Sequence, residues 1–409
     1  MREMKDSGVE WIGEIPKGWE VRRIKTLPDK SQIESFIDGD WIESPYIVDE
    51  GIRYLTTGNV GDGHFKEQGN GYITEETFHE LNCKYAYPND LVIARLNAPY
   101  GRSCILPDIK DKYVLAVDIV ILRTRESSKY ICYVTQCDGY QRSVEDMARG
   151  TAMKRVSRTN LGTVKLPLPP LAEQNRIVAH LDTKTAQIDT LISNVQAQIE
   201  KLKAYKQSLI TETVTKGLDP TVPMKDSGVE WIGEMPEHWG IIQTKYCASV
   251  NHGTDPKTEG DIPVYGSGSG SFKTCGEFKE GPAVLVGRKG ATLHIPHYIE
   301  GKYWNVDTAF DVTTNSRYNL KFYYYAATSF DYKSYMSQTT LPSMTQSAYR
   351  NMYLPFPSID EQTQLAAYLD EKCDQIDRLI SIKEAKIEKL TQYKKALIYE
   401  YVTGKKEVS

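Results

Sequence analysis

Side chains suited to contacting nucleic acid gather in three short, glycine-containing segments of the first half of the chain, 56–59, 95–102 and 149–158. Arginine pairs well with the edge of guanine and asparagine with that of adenine, whereas lysine and hydroxyl groups suit phosphates. The last segment alone carries four cations within ten residues. The predicted DNA contacts in these segments are Thr57, Asn59, Arg95, Asn97, Tyr100, Arg102, Arg149, Thr151, Lys154, Arg155 and Arg158.

The second half of the chain contains three counterparts in the same order, 265–270, 287–292 and 338–346. Each segment alone is equally compatible with a solvated turn, so their recurrence in the same order is what favours a shared role. The predicted contacts here are Tyr265, Ser267, Ser269, Arg288, Lys289, Thr292, Gln338, Ser343 and Gln346.

The charge balance counts against DNA binding, because most domains that bind DNA are basic. The whole chain has a formal net charge of −4. Residues 20–165 contain 20 basic and 21 acidic side chains, and residues 240–352 contain 11 and 9. Contacts with phosphates must therefore come from local clusters of cations.

Motifs for catalysis are weak throughout the chain. The glycine- and serine-rich run 266–270 imitates a dinucleotide-binding loop, but neither a helical pattern nor a suitably spaced acidic residue follows it. No GxxxxGK(S/T) motif for nucleotide phosphates occurs. Asp261, Glu277 and Lys279 have the loose spacing of a nuclease, which is common by chance. We expect no catalytic site, cofactor or metal in this chain, with a stand-alone nuclease as an alternative.

The remaining metal ligands and the start of the chain bear on the compartment. His294 and His297 have no cysteine or acidic pattern beside them that would complete a metal site. The seven cysteines are scattered without a CxxC pair, which favours a reducing cytoplasm. The acidic N-terminal residues do not resemble a signal peptide, and no apolar run is long enough for a membrane span. We expect a cytoplasmic protein.

An internal repeat organises the chain. Residues 4–14, MKDSGVEWIGE, recur unchanged at 224–234, and residues 166–192 match 354–380. The segment between the matching stretches runs from 15 to 165 in the first copy and from 235 to 353 in the second, so the second insert is shorter. The inserts share little sequence by eye. A frame kept twice around different inserts indicates a scaffold that carries two different reading domains.

The repeated tail predicts two long helices. Proline residues end the preceding strand, and no glycine or proline then occurs until Gly217. Apolar residues at seven-residue spacing predict an antiparallel coiled coil, interrupted in the second copy by Lys383 and Lys394. About 44 residues at ~1.5 Å each give a helix of ~66 Å. The apolar positions are Leu181, Ile188, Val195, Leu202, Leu209, Ile192 and Ile199, then Leu369, Ile376, Leu390, Leu397, Ile380 and Ile387.

The inserts are rich in glycine, tyrosine and short β-type runs, which predicts mixed α/β (α+β) domains. The fold expected is two such domains joined by the two long antiparallel helices in a pseudo-twofold repeat. The predicted boundaries are 1–17 for an N-terminal segment, 18–170 for the first reading domain, 171–217 for a central helix, 218–237 for a linker repeating the N-terminal segment, 238–357 for the second reading domain and 358–409 for a C-terminal helix.

These features together resemble the specificity subunit of type I restriction–modification systems. The resemblance rests on the two SGVEWIGE starts, the LPLPP-LAEQ and LPFPS-IDEQ boundaries and the two long helices, and it covers essentially the whole chain. It implies that each variable segment is a target recognition domain for one half of a split, asymmetric DNA site. It also implies that S-adenosylmethionine, ATP and magnesium chemistry belongs to partners, namely two modification subunits and the restriction subunits.

Trp11, Ile12, Trp231 and Ile232 are large apolar residues kept identical in both copies of the repeat. We expect them to help form two equivalent sites for the modification subunits, although private packing within each module would explain the tryptophans equally well. A different class of protein, a coiled-coil adaptor whose two domains bind proteins rather than DNA, is the alternative to the whole interpretation.

Overall fold

The computed structural model describes residues 2–150, 153–268, 270–337 and 342–408. The chain divides into two units, unit 1 comprising Met1–Asn194 with Lys386–Ser409 and unit 2 comprising Val195–Ala385. Within the described part of the chain, no helix is both long enough and apolar enough to cross a membrane.

Unit 1 is built around a four-stranded antiparallel sheet. Its central strands consist of four buried residues each, because hydrophobic side chains cover both faces. The unit also contains a three-stranded sheet with one parallel pair, whose strands are interleaved along the chain with those of the first sheet. The four-stranded sheet has the order Phe36–Asp38, Ile119–Leu122, Leu91–Ala94 and Ser103–Ile105, and the three-stranded sheet the order Tyr72–Ile73, Ile52–Leu55 and Tyr113–Leu115. The short helices are Glu75–Glu80, Ser128–Val134, Asp138–Glu145 and Arg158–Leu161, with 3-10 turns at Ile24–Thr26 and Ser44–Tyr46.

Unit 2 repeats this topology, although its sequence between the repeats does not align with that of unit 1. It has a four-stranded antiparallel sheet with the same strand order and a second sheet whose central pair is again parallel. The four-stranded sheet has the order Ala248–His252, Ala309–Thr314, Ala283–Gly287 and His297–Ile299, and the second sheet the order Ser271–Cys275, Ile262–Tyr265, Lys302–Asn305 and Lys279–Glu280. The helices are Leu320–Ala327 and Gln346–Asn351, with 3-10 turns at Thr244–Tyr246 and Tyr332–Ser334.

The repeated sequence forms the frame around each pair of sheets. Each MKDSGVEWIGE copy forms a two-stranded hairpin, and the following strand pairs with the proline-rich strand that precedes a long helix. The hairpins are Met4–Asp6 with Glu14–Pro16 and Met224–Asp226 with Glu234–Pro236. The strand pairs are Glu20–Arg23 with Lys165–Leu168 and Gly240–Gln243 with Tyr353–Phe356.

The two long helices are present as predicted: the central helix, Leu171–Lys216, and the C-terminal helix, Ile359–Val402. Each begins directly after the proline-rich strand, where a buried glutamine fixes its first turn. Gln362 accepts from the backbone N–H of Asn319 at 2.7 Å and donates to the carbonyl of Pro357 at 2.9 Å. Gln174 makes the equivalent bonds with Ser127 and Pro169. Both glutamines have no exposed surface, so each satisfies backbone groups that would otherwise be buried without partners.

The long helices pack antiparallel within each unit. In unit 1, Lys394 bonds to Asp189 at 2.7 Å, and in unit 2 Lys206 bonds to Asp377 at 2.6 Å. Asp189 and Asp377 occupy the same position of the repeat, and so do Lys206 and Lys394. In each unit the aspartate therefore comes from one long helix and the lysine from the other. Lys383, which interrupts the apolar spacing, donates to Gln198 at 2.6 Å. The predicted seam therefore combines buried apolar residues, Val195 and Ile199 among them, with polar contacts between the helices.

Candidate nucleic-acid interface

The three predicted segments of unit 1 come together in one group of loops, the first reading cluster, defined as 56–60, 95–102 and 149–158. Arg102 joins the first two loops, because its guanidinium donates to the carbonyls of Val60 at 2.7 Å, Thr57 at 2.8 Å and Asn97 at 2.7 Å. Arg95 joins the second and third loops through a bond from Nη1 to the carbonyl of Val156 at 2.8 Å. The structure thus brings the three predicted segments together.

Four of the predicted DNA contacts in this cluster are buried and correct the prediction. Backbone carbonyls accept hydrogen bonds from the side chains of Arg102, Arg95 and Asn59. Tyr100 packs into the hydrophobic core. Asn59, for example, donates to the carbonyls of Lys66 and Gln68 at 3.0 and 2.8 Å. Loops contain many carbonyls that need donors, and these side chains satisfy them in place of water. They shape the cluster and are not available to DNA in this structure.

The other described residues of the first cluster reach solvent. Arg149, Lys154 and Asn97 are exposed, Thr57 is half-buried, and the side chain of Arg155 is 60% exposed. Arg149, Arg155 and Arg158 line a cleft of about 550 Å³ together with Arg95. Four guanidinium groups around one cleft create the local positive charge that the balance of the whole domain lacks.

The second reading cluster, 265–268, 287–292 and 342–346, is joined in the same way in unit 2. Thr292 donates to the carbonyl of Ser267 at 2.8 Å, which connects its first two loops. The backbone N–H of Met344 donates to the carbonyl of Arg288 at 2.9 Å, which connects the second and third. In unit 1 the N–H of Val156 makes the corresponding bond to Arg95. Arg288 and Met344 therefore correspond to Arg95 and Val156.

This correspondence shows where the charge differs between the clusters. In unit 1 an isolated bridge pairs Arg149 with Arg155, and in unit 2 the equivalent bridge pairs Ser337 with Ser343. The chain between the two members of each bridge has the same length. Arg149 and Arg155 of unit 1 thus have serines at the equivalent positions of unit 2.

The remaining predicted contacts of unit 2 are partly engaged in the fold. Arg288 donates to the carbonyl of Asp307 at 3.0 Å, and Gln346 to that of Val250 at 2.6 Å. Lys289, Ser267, Ser343 and Tyr265 are half-buried, Tyr265 against a small hydrophobic cluster, while Thr292 is exposed. Thr151, Ser269 and Gln338 were also predicted contacts and lie outside the described residues.

The predicted partner residues divide into two kinds. Ile12 and Ile232 are buried in the hydrophobic cores of their units, which corrects the prediction that they face a partner. Trp11 and Trp231 are half-buried, and Trp231 donates to the carbonyl of Tyr353 at 3.2 Å. Core packing therefore accounts for the isoleucines, because an apolar side chain that is already buried gains nothing from a partner.

Two residues of the nuclease alternative, Glu277 and Lys279, bond to other partners. Glu277 accepts from the backbone N–H of Lys257 at 2.7 Å and from the hydroxyl of Thr258 at 2.6 Å, and these bonds lower its pKa to about 2. Lys279 donates to Asn305 at 2.8 Å and pairs with the carboxylate of Asp311. Among the described residues no group of three or more potential ligands could hold a metal ion, His294 and His297 included.

Two carboxylates of the first cluster were missed by the sequence analysis. Asp38 lies 2.9 Å from Arg95 Nη2 and 3.4 Å from Arg158 Nε. Asp118 lies 3.8 Å from both Arg95 and Arg155. The only signal was the position of each acidic residue relative to a strand: Asp38 ends Phe36–Asp38, and Asp118 directly precedes Ile119–Leu122. Acidic residues at strand ends are common in turns, so this signal alone could not select them.

Unit 1 and unit 2 contain reading domains of the same topology. Each domain has a loop cluster suited to nucleic acid and is joined to the paired long helices. This arrangement defines a DNA-recognition protein with two reading domains. The family model for the type I restriction modification DNA specificity domain matches residues 16–201 and 240–392. The chain belongs to this family, and its role is DNA recognition within a type I restriction–modification system.

Relatives and solved structures agree with this membership. The chain is 23% identical over 426 aligned residues to a protein of Methanocaldococcus jannaschii assigned to the MjaX type I restriction enzyme as its specificity subunit, covering 96% of this chain and 95% of that one. It is 20% identical over 205 residues to the EcoKI specificity subunit of Escherichia coli K12, covering 48% and 43%.

Two solved chains share the fold. One comes from work on complex assembly and conformational transition of the type I system and has a TM-score of 0.72 at 15% identity, covering 95% of this chain and 98% of its own length. The other, the HsdS subunit from Thermoanaerobacter tengcongensis, has a TM-score of 0.50 at 15% identity with the same coverage.

Proposed function

We propose that each unit reads one half of a bipartite, asymmetric DNA site through its reading cluster and that the chain itself catalyses no reaction. The observation that carries this proposal is the pair of equivalent clusters with different side chains, exemplified by Leu96 in unit 1 and Lys289 in unit 2, which make equivalent bridges to the third loop. Equivalent positions provide the same reach toward a duplex, while different side chains select different bases. An asymmetric site is the direct consequence.

Selection from a pool of random duplexes, followed by sequencing of the DNA bound to the full chain in its complex, tests this proposal. We expect a motif with two specified halves separated by an unspecified spacer. Asn97→Ala should blur one half only, and Lys289→Ala should affect the other half. The adaptor alternative expects no motif and no salt-dependent affinity for DNA. Magnesium-dependent cleavage by the purified chain would contradict the proposed absence of catalysis.

We propose further that the long helices set the distance between the two halves and dock two modification subunits. Exposed apolar residues on the helices support two equivalent docking sites. Leu191 and Tyr393 of unit 1 are 49% and 55% exposed, and Leu379 and Tyr205 of unit 2 are 47% and 58% exposed. In the repeat, Leu191 corresponds to Leu379 and Tyr205 corresponds to Tyr393.

Within each unit the leucine and the tyrosine belong to facing stretches of the antiparallel helices. In unit 1 they flank the ion pair of Asp189 with Lys394, and both directly precede a residue of the seam. Residues at such flanking positions of two antiparallel helices lie on the same side of the pair. An exposed Leu–Tyr pair duplicated in both units fits one partner surface bound twice.

Native mass spectrometry of the complex tests the docking proposal. We expect two modification subunits per chain. Leu191→Ser with Tyr393→Ser should leave one bound subunit, and Leu379→Ser with Tyr205→Ser should do the same. Leu218→Ser, at another exposed leucine beyond the end of the central helix, is the matched control and should leave two. A complex of one to one with the unaltered chain would contradict the two-site arrangement.

The proposal extends to cofactors, other partners and compartment. S-adenosylmethionine, ATP and magnesium would bind to the modification and restriction subunits, because the motifs for them are weak or lacking in this sequence. All seven cysteines are buried free thiols, which agrees with function in a reducing cytoplasm.

A further inference from the structure

One side chain of the first reading cluster occupies a position that unit 2 fills with a different residue. Arg158 is the first residue of a short helix, and its Nη1 donates to the carbonyl of Phe36 at 2.8 Å. Gln346 is likewise the first residue of a short helix, and its Nε2 donates to the carbonyl of Val250 at 2.6 Å. Both carbonyls belong to the edge strand of the four-stranded sheet. Arg158 and Gln346 are therefore structural equivalents.

The end of the same edge strand supplies a second side chain beside this position. Asp38 Oδ2 lies 3.4 Å from Arg158 Nε. Asp38 pairs across the sheet with Val120, and His252 pairs with the equivalent residue Phe310. The Arg–Asp pair of unit 1 thus corresponds to a Gln–His pair in unit 2, so chemically different pairs stand at one position of a shared fold.

The cleft beneath Arg158 contains polar atoms whose hydrogen-bonding capacity is unused. Arg95 is only 7% exposed, yet its Nε makes no hydrogen bond within the described chain. Asp38 Oδ1 lies 2.9 Å from Arg95 Nη2 but outside the direction of its N–H bonds, so it also accepts none, and neither does Asp118 Oδ1. Unmet donors and acceptors in one cleft are costly unless a ligand supplies their partners.

The guanidinium and carboxylate groups of the cleft indicate whether it binds a phosphate or the edge of a base pair. A phosphate offers acceptors only and would be repelled by the carboxylate of Asp38. The edge of a G·C base pair offers the acceptors O6 and N7 of guanine beside the N4 amino donor of cytosine. An adjacent guanidinium and carboxylate match this arrangement, because O6 and N4 are neighbours in the groove.

We propose that Arg158 and Asp38 together read one G·C base pair in the half-site of unit 1 and that Gln346 occupies the equivalent reading position in unit 2. Arg158 donates to guanine, Asp38 accepts from cytosine, and Arg95 positions Asp38 from below. Arg149 and Arg155 are left for the phosphates. This inference rests on the proposed reading of one half-site by each unit.

The same duplex selection tests it, with Asp38→Asn and Arg158→Gln compared with the unaltered chain. Each variant should lose discrimination for G·C at one position of one half-site by on the order of 5- to 150-fold, the range that one good base contact supplies. The other half of the motif should be unchanged, which also shows that the variant is folded and assembled. Asp108→Asn removes an exposed carboxylate of the same unit and should leave the whole motif unchanged.

The possible outcomes separate this inference from the function on which it rests. An unaltered chain without a bipartite motif would refute the proposed function itself. A clear motif that keeps its G·C preference in Asp38→Asn would refute the inference, most directly if the variant binds all sequences more tightly, as a cleft for phosphate alone would. If Asp38→Asn selects neither half of the motif, Arg158→Gln provides the test: a motif that keeps its G·C preference in that variant would refute the inference.

A gain of specificity provides an independent test at the equivalent position. His252→Asp with Gln346→Arg transfers the pair of unit 1 into unit 2. We expect the second half-site to acquire a requirement for G·C at one position, while the first half stays as it was. A second half-site that changes without any new G·C requirement would overturn the assignment of this position as the reading position.

Discussion

Replacing Arg155 with alanine should reduce the salt dependence of DNA binding by about one phosphate contact. Its side chain is 60% exposed, and its only ion pair among the described residues is a 3.8 Å approach to Asp118. An exposed pair of this kind contributes on the order of 0–1 kcal/mol to the stability of the fold, so the variant should remain folded. The guanidinium is therefore free to donate to a phosphate on the rim of the cleft.

The magnitude follows from the release of counterions. One phosphate contact contributes about 0.9 to the slope of log affinity against log salt concentration, which is about a 3.5-fold change in affinity between 50 and 200 mM salt. Because Ser343 is the equivalent residue of unit 2, Ser343→Arg should steepen the slope by the same amount, and Ser343→Ala should not change it. Fluorescence anisotropy with one duplex across a salt series measures all three variants. Slopes that stay equal in Arg155→Ala and Ser343→Arg would show that neither cluster faces the DNA backbone.

Three further predictions follow from the frame and the core. Inserting four residues after both Gln196 and Glu384 lengthens both helices by ~6 Å while keeping their ion pairs in register, so the spacer of the methylated motif should grow by one or two base pairs. Altered half-site bases with a constant spacer would contradict that role of the helices. Replacing the buried Gln362 with leucine should lower the free energy of unfolding by roughly 2–4 kcal/mol, whereas the exposed Gln364→Ala should have little effect in chemical denaturation. Burial lowers the pKa of His297, so the unfolded chain gains a proton there at a higher pH than the folded chain does. The stability of the fold should therefore fall as the pH drops through 6.5. A melting temperature that has the same pH dependence in His297→Gln as in the unaltered chain would refute this.

The frame of this protein could be predicted from the sequence because its signals are local and repeated. Proline residues mark where the long helices begin, and apolar residues at seven-residue spacing mark the side that packs. The common topology of the two reading domains could not be predicted, since it depends on strand pairings such as that of Asp38 with Val120. Such pairings join distant segments and tolerate almost any side chain that fits the pleat.

The sequence identified the loops that form the reading clusters, but it did not separate their buried side chains from their exposed ones. Arg102 and Arg155 both lie in basic, glycine-containing segments. Arg102 donates to buried carbonyls, whereas Arg155 reaches solvent. Residue type alone cannot separate these roles, because a guanidinium satisfies buried carbonyls as well as it binds DNA. The tertiary course of the loop decides between them, and that course depends on contacts between segments far apart in the sequence.

The composition of unit 1 has a consequence for the order in which the protein matures on the ribosome. Unit 2 is one continuous stretch, Val195–Ala385, whereas unit 1 needs Met1–Asn194 together with Lys386–Ser409. The segment Lys386–Ser409 bonds to the N-terminal part of unit 1. Lys405 donates to the carbonyl of Ile12, and Tyr130 donates to that of Val402. The part synthesised first is thus completed last, while domains usually fold in the order of synthesis. A chain that ends before Lys386 therefore lacks part of unit 1, and we expect its first reading domain to be less stable.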